Sequence, residues 1–301
     1  MTEGMDGAGK AHAIAIIPYG TKLTPELARM PLDALAWPMG RPERLMAGTV
    51  SDMGPDDHLI AYVTSRLLYM PRPGVRARVS VMVVEPHAVH GRKMAWLRVL
   101  WWRFFAVLSC KPSLLAAIPN SHRFLFGSTW VPEWRTTDMT KSRMLSLIAS
   151  TKDYLEGHKL RHRTVDWIKA NAIDADILGR GYAPFEQKSD GLAPYRYSVI
   201  IENVREPSYF TEKLIDCLLC ETVPIYWGAP DIADIFDPRG MIVCQTFEDL
   251  QNAIGSVSEA DYQSRLEFIA RNKEKASRYA NPDRAAAHIV HIAAQRTQPK
   301  P

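Results

Sequence analysis

Apolar and polar positions along this chain alternate between two rhythms. Continuous apolar or β-branched runs stand at "HAIAIIPY" (12–19), "HLIAYVT" (58–64), "ARVSVMVVE" (77–85), "RMLSLIAS" (143–150), "DADILGRG" (174–181), "YRYSVIIEN" (195–203), "TVPIYWG" (222–228) and "MIVC" (241–244). Such runs predict strands covered on both faces, as in a parallel sheet. Between them, apolar residues return at helical spacing over 91–108, 158–171, 209–220, 246–256 and 260–279. Strand–helix alternation predicts an α/β protein with parallel sheets. No internal repeat is visible, and the only biased tract is the polar tail "QRTQPKP".

A chain of 301 residues is long for one compact core, so two domains are expected. The polar, proline-containing stretch "PEWRTTDMTKS" (132–142) precedes a fresh strand and predicts the boundary. That division gives two Rossmann-like domains, 1–140 and 141–301, with a ligand cleft at the carboxyl ends of their strands. Composition fits a globular protein, with 47% hydrophobic and 23% charged residues. The net charge of +4 is mild and its basic residues are scattered. This suits an anionic small ligand and argues against a nucleic-acid binder. Four widely spaced cysteines make no disulfide framework, and the Cys217–Cys220 pair sits in the apolar run "LIDCLLC" with no second pair for zinc. Buried thiols and a reducing, cytoplasmic compartment are expected. The opening "MTEGMDGAGKA" lacks the apolar core of a signal peptide.

The most apolar stretch is "MAWLRVLWWRFFAVLSC" (94–110), interrupted by Arg98 and Arg103 and too short to span a bilayer. As a helix it aligns Trp96, Leu100, Phe104 and Leu108 on one face. Two readings stand: a core helix, or a basic amphipathic helix over 94–108 lying on a membrane surface.

The chemistry concentrates at 195–228. The strand "YRYSVIIEN" ends in Glu202 and Asn203, the loop "VREPS" follows, and a helix is expected to begin near Ser208 with Phe210, Leu214 and Leu218 as its core face. Thr211, Glu212 and Lys213 then fall in its first turn, at the carboxyl end of a parallel strand. Free backbone N–H groups and the helix dipole favour an anion there, and Lys213 adds charge. Glu212 would repel phosphate, so its presence asks for a hydroxyl-bearing partner. A nucleotide-sugar site and an ordinary solvated helix start both satisfy this pattern.

"YSVIIENVREPSYFTEKLIDCLLCETVPIYWGAP" resembles the signature of the α-1,3-fucosyltransferases, glycosyltransferase family 10. Its parts are Glu202-Asn203, the stretch Tyr209-Phe210-Thr211-Glu212-Lys213, and Val223-Pro224-Ile225-Tyr226-Trp227-Gly228, and the resemblance covers about 143–256. It implies a GT-B fold of two Rossmann-like domains, with an acceptor domain over 1–140 and a GDP-fucose donor domain over 141–301. It places Glu202, Asn203, Tyr209, Thr211, Glu212 and Lys213 at the donor. Upstream, "ASTKDYLEGHKLRHRTVDWIKAN" resembles the family's strand-then-arginine element, whose arginine at a helix start meets the donor phosphates. Arg161 is assigned that role, with Arg163 second and His158, Lys159 and His162 making the turn cationic.

Inverting transfer needs a carboxylate to take the acceptor proton and cations to stabilise the departing diphosphate. Glu85, ending "VSVMVVE", is the expected base, ahead of Asp56 and Asp57 in "GPDDH". Asp174 and Asp176 mimic a DxD metal motif but read as loop residues before a strand. No cofactor or metal ion is expected, since Lys213 and Arg161 would carry the diphosphate charge. Expected partners are a nucleotide-sugar donor and a glycan acceptor, in a protein like the soluble bacterial or viral members. Another nucleotide sugar as donor, or a non-catalytic binder, is the alternative.

Overall fold

The computed structural model describes residues 12–297. The expectations for the first eleven residues and for the end of the polar tail lie outside the described residues. The described chain forms two compact units, 12–124 with 283–297, and 125–282.

In the first unit, β1 (Ile14–Ile16), β2 (His58–Tyr62), α1 (Ser65–Tyr69), β3 (Arg78–Val83), α2 (His87–Leu100), β4 (Val107–Ser109), α3 (Pro112–Ala117) and β5 (Ser121–Arg123) follow in order. The five strands are parallel and lie in sequence order, β1-β2-β3-β4-β5. Their alternate side chains, including Leu59, Val79, Val81 and Val83, enter one core with Met94 and Leu97 of α2.

The second unit carries β6 (Arg143–Ile148), α4 (Glu156–Ala170), β7 (Asp176–Leu178), β8 (Tyr195–Ile201), α5 (Glu212–Leu219), β9 (Val223–Trp227), β10 (Ile242–Val243), α6 (Phe247–Ser256), α7 (Glu259–Ser264) and α8 (Leu266–Ser277). Its sheet is also parallel, in the order β10-β9-β8-β6-β7. Strand β8 alternates between two cores. Ile200 packs with α5 on one face, while Val199 and Ile201 pack with Val165 and Ile168 of α4 on the other. A last helix, α9 (Pro282–Thr297), has nearly all its length in the first unit.

The eight expected strands form. The differences are physical. The division falls at Phe124/Leu125, ahead of the expected 140/141, and α9 leaves the expected C-terminal domain for the first unit. The helix expected over 91–108 is α2, which ends at Leu100; a 3-10 turn at Trp101–Arg103 follows, and Val107–Ser109 becomes strand β4. A run apolar on every side carries no period, so helix and strand could not be told apart there. Trp96 lies on the exposed face, while Phe104 and Leu108 are buried beyond the helix. The helix expected from Ser208 starts at Glu212, because Ser208 takes a left-handed φ of 56° that a helix cannot continue through. Among the described residues no helix is long and apolar enough to cross a membrane.

Candidate functional site

In the second sheet, strand order reverses at β6. From β6 the chain passes through α4 to β7 on one side, then returns to place β8 on the other. The carboxyl ends of β6 and β8 therefore flank a switch point, where open α/β sheets leave room for a ligand. The residues singled out from the sequence gather there.

The first turn of α4 rests on the backbone that leaves β8. Gly157 N donates to Asn203 O at 3.0 Å, and a Cβ on Gly157 would stand 1.7 Å from Glu202 O. Only glycine permits that approach. Glu202 itself continues the β8–β9 ladder, its N donating to Trp227 O at 2.9 Å. Gly228 leaves room for it from the other side, since a Cβ there would stand 2.8 Å from Glu202 Cγ.

Glu202 is fully buried, and its carboxylate is used inside the protein. Thr211 N donates to Oε1 at 2.8 Å, and Thr211 Oγ1 donates to Oε2 at 2.7 Å. Thr211 in turn caps α5, accepting from Lys213 N at 3.3 Å. Burial pushes the Glu202 carboxyl above its ordinary range, while Lys213, with Nζ 3.8 Å from Oε2, pulls it back. Glu202, expected at the donor from the resemblance, has its carboxylate engaged inside the protein, where it fixes where the first turn of α5 stands.

Lys213 and Glu212 form an ion pair at 3.2 Å, and both side chains keep an exposed edge, 24% and 15%. Burial works against the charge of Glu212, but Lys213 and Lys188 hold its carboxyl below the usual range. Asn203 is partly exposed beside them, whereas Tyr209 and Thr211 are buried. The loop between is pinned from a residue that sequence reading missed. Asp231 accepts from Ser208 N at 2.6 Å and from Ser208 Oγ at 2.7 Å, which holds the left-handed turn.

Arg161 and Arg163 separate clearly. Arg161 is buried and donates from Nη2 to Ile201 O at 2.6 Å; burial lowers its pKa, and Glu202 and Glu212 act against that. It lies in the second turn of α4, not at the helix start. Arg163 is exposed and stacks 3.9 Å over the Phe247 ring of α6. His158 is buried in the first turn and bonded to Asn203, with burial lowering its pKa. A second missed anchor is Lys188, whose Nζ pairs with the buried Asp216 of α5 at 2.7 Å. Asp216 also accepts from Thr129 Oγ1 at 2.6 Å and Trp130 N at 3.0 Å, tying the 129–130 segment to α5. Neither Lys188 nor Asp231 belongs to a motif, so nothing local marked them.

The aspartates of "DAD" lie elsewhere. Asp176 opens β7, at the amino end of the sheet, and accepts from Tyr195 Oη and Arg143 Nη1, each at 2.9 Å. All four cysteines are free and buried, and burial pushes the Cys217 thiol up.

In the first unit, Glu85 follows the carboxyl end of β3, as expected, and accepts from Tyr19 Oη at 2.5 Å. That bond pushes the Tyr19 phenol up to about 12. Tyr19 stands edge-on to Tyr62 with centroids 4.9 Å apart, so the ends of the first three strands share one polar cluster. Asp56 and Asp57 are at the opposite, amino end of β2. Asp57 is buried, not a solvated turn residue: it pairs with Arg44 at 2.5 Å and accepts from Ala13 N and Gly54 N.

The family model for glycosyltransferase family 10 (fucosyltransferase), C-terminal part, matches residues 139–292, just over half of the chain. An α-(1,3)-fucosyltransferase of Helicobacter pylori is 35% identical over 69 residues, 23% of this chain and 14% of that protein. An α-(1,4)-fucosyltransferase of Arabidopsis thaliana is 37% identical over 60 residues, 20% of this chain and 15% of that one. The chain thus matches only about a seventh of these relatives' own length. A solved trehalose-6-phosphate synthase of Burkholderia multivorans superposes with a TM-score of 0.52 at 10% identity, covering 81% of this chain and 72% of that one. The parallel α/β architecture and this likeness place the fold in the GT-B class.

Proposed function

This chain belongs to glycosyltransferase family 10, the fucosyltransferases, and on that premise we propose that it transfers fucose from GDP-fucose to a hydroxyl of a glycan acceptor. One observation carries the reading. The buried Glu202–Thr211 pair sets the first turn of α5 at the switch point, where Lys213 keeps an exposed edge at the positive end of the helix. That arrangement suits a diphosphate.

In the proposed reaction the acceptor hydroxyl attacks the anomeric carbon from the face opposite GDP, inverting its configuration. The new glycosidic C–O bond forms as the bond from the anomeric carbon to the β-phosphate oxygen breaks. Glu85 takes the hydroxyl proton, and the electron pair of the broken bond leaves on GDP. Lys213 stabilises that growing charge directly, and the buried Arg161 adds positive charge from behind the strand end. Asn203 and Glu212 offer groups for hydroxyls of the donor. With two cations in these roles the transfer needs no bound metal ion, so chelator is expected to leave turnover intact.

Calorimetric titration with GDP, UDP and CMP, followed by donor-hydrolysis assays with the matching sugars, tests the proposal. Preference for GDP and turnover of GDP-fucose are expected. Tighter binding of UDP would overturn the donor, and GDP binding without any turnover would overturn the activity.

A further inference from the structure

The first unit has a face that the proposed chemistry does not use. The outer side of α2 presents Val89, Trp96 and Val99, and the 3-10 turn after it presents Trp102; Val99 is 61% and Trp102 65% exposed. Tyr69 at the end of α1 packs edge-on against Trp96, with centroids 5.7 Å apart, and Met70 beside it is also exposed. These six residues are half of the exposed large hydrophobic side chains among the described residues. Exposed apolar side chains gathered on neighbouring elements in this way mark an interaction surface.

Charge narrows the choice of partner. From Ser65 to Arg103 the chain carries eight lysines and arginines and one acid, Glu85. Glu85 follows the carboxyl end of β3. At the amino end of β3 lies an open groove of about 600 Å³ lined by Arg72, Arg78, Trp102 and Arg103 together with Phe104 and Phe105. The three guanidinium groups lie against the aromatic rings: Arg72 is 5.2 Å from Phe104, Arg78 is 5.6 Å from Phe105, and Arg103 is 6.0 Å from Trp102. Arg72 donates to Arg103 O and Arg103 donates to Met70 O, each at 2.6 Å, which brings the two cations together. Among the described residues, Arg72 Nη1 and Arg103 Nε have no hydrogen-bond partner. Asp56 lies 3.9 Å from Arg78. Arg72 and Arg103 thus have no ion-pair partner among the described residues.

Indole rings beside arginines, all on one side of a unit, match the chemistry of an anionic bilayer. Indoles settle at headgroup depth, and guanidinium groups pair with lipid phosphate. We propose that the face formed by α2, the end of α1 and the Trp101–Arg103 turn docks on an anionic phospholipid surface, with the arginine groove receiving headgroup phosphates. The helix lies along the interface without crossing it, as its length requires.

The test is flotation of the full chain with vesicles of phosphatidylcholine, with and without phosphatidylglycerol. Wild type is expected to float with the anionic vesicles, to stay behind with the neutral ones, and to release as salt is raised. The variant Trp96→Ser/Trp102→Ser, and separately Arg92→Glu/Arg98→Glu at two exposed arginines of α2, should each lower binding about tenfold or more. GDP affinity and melting temperature serve as checks that both variants fold. Equal flotation with neutral vesicles, or undiminished flotation of either variant, overturns the proposal. So does saturable binding of inorganic phosphate that leaves vesicles unbound, which would make the groove a site for free anions. A concentration-dependent dimer lost in Trp96→Ser/Trp102→Ser, without vesicle binding, would assign the face to a second copy of the chain.

Discussion

Thr211 and Glu202 hold each other across the gap between β8 and α5, through a backbone bond of 2.8 Å and a side-chain bond of 2.7 Å. The pair makes the position of Lys213 a consequence of strand β8 and not of loop chance. Glu202 is buried and Lys213 is the positive group nearest its carboxylate, so the lysine balances a buried charge as well as facing outward. Changes here should therefore show in binding and in stability together.

Lys213→Ala is expected to weaken GDP binding by about 1.5–3 kcal/mol, the worth of a charge-assisted hydrogen bond. A smaller loss of melting temperature should accompany it, because Glu202 loses its nearest cation. Arg161→Ala should cost more stability than Lys213→Ala, since it opens a cavity and removes the donor to Ile201 O. Calorimetry and thermal melts on both variants check this. Unchanged GDP affinity in a folded Lys213→Ala protein removes the diphosphate site.

Glu85→Gln should lower turnover by about 10²–10⁴-fold, the usual scale of general-base catalysis. GDP affinity should not move, because Glu85 and the α5 turn belong to different compact units. Saturating acceptor should not restore the rate, as the lost interaction belongs to the transition state. Asp57→Asn supplies the contrast: its carboxylate pairs with Arg44 and two backbone N–H groups, so melting temperature should fall while turnover of the folded fraction persists. Near-normal turnover in Glu85→Gln would show that another group is the base.

Gly157→Ala should be among the most costly single-methyl additions in the protein. Its Cβ would stand 1.7 Å from a backbone oxygen, which cannot swing aside as a side chain can. Overpacking of ordinary side chains costs roughly 1–3 kcal/mol, and this site should reach or exceed the upper figure. Gly255→Ala in α6, where nothing lies within 4 Å, should instead gain about 0.5–1 kcal/mol. Chemical denaturation of the two variants checks the opposite signs.

Acid should weaken the first unit through His58. Burial lowers its pKa from the ordinary 6.5 to about 4, with His12, Arg78 and His291 adding to the shift and Asp57 opposing it. The folded state thus takes up the proton less readily than the unfolded chain. The stability it preserves is complete above about pH 6.5, is lost as pH falls, and is gone below about pH 4. The loss amounts to about 3 kcal/mol at most. His58→Gln should flatten that part of the stability–pH curve, and an unchanged slope in the variant would assign the effect elsewhere.

Much of this arrangement was legible from residue order alone. Eight of the ten described strands were visible because both sheets are parallel and covered, which turns most strands into continuous apolar runs. Glu212 and Lys213 fall in the first turn of α5 as expected, with Thr211 as its cap, because the apolar spacing of Leu214 and Leu218 sets the helix locally. What escaped notice depends on distant partners. Strand β5 is the short polar "SHR" at a sheet edge and has no periodic signature. Gly157 looked like an ordinary residue until Glu202, 45 positions later, was seen to press against it. Burial of Glu202 was hidden for the same reason: an acid at a strand end reads as exposed unless the threonine that needs it is known to be there. Arg163 and Arg161 differ by two positions, and only the placement of Phe247 and Ile201 separates their directions.

The return of α9 to the first unit sets an order of events during synthesis. His291 meets His12 at 2.9 Å across a separation of 279 residues, and Ala286, Ala287 and Val290 are buried. The first sheet can leave the ribosome early, but its own closing helix is made only after the second unit. Until then the second unit, whose contacts lie between 125 and 282, is the only one with its full complement of chain. The unit that begins first should therefore finish last, with a long loop to close and its apolar surface waiting in the meantime. A deletion at residue 282 ought to spare the donor-side unit and leave the other dependent on chaperones.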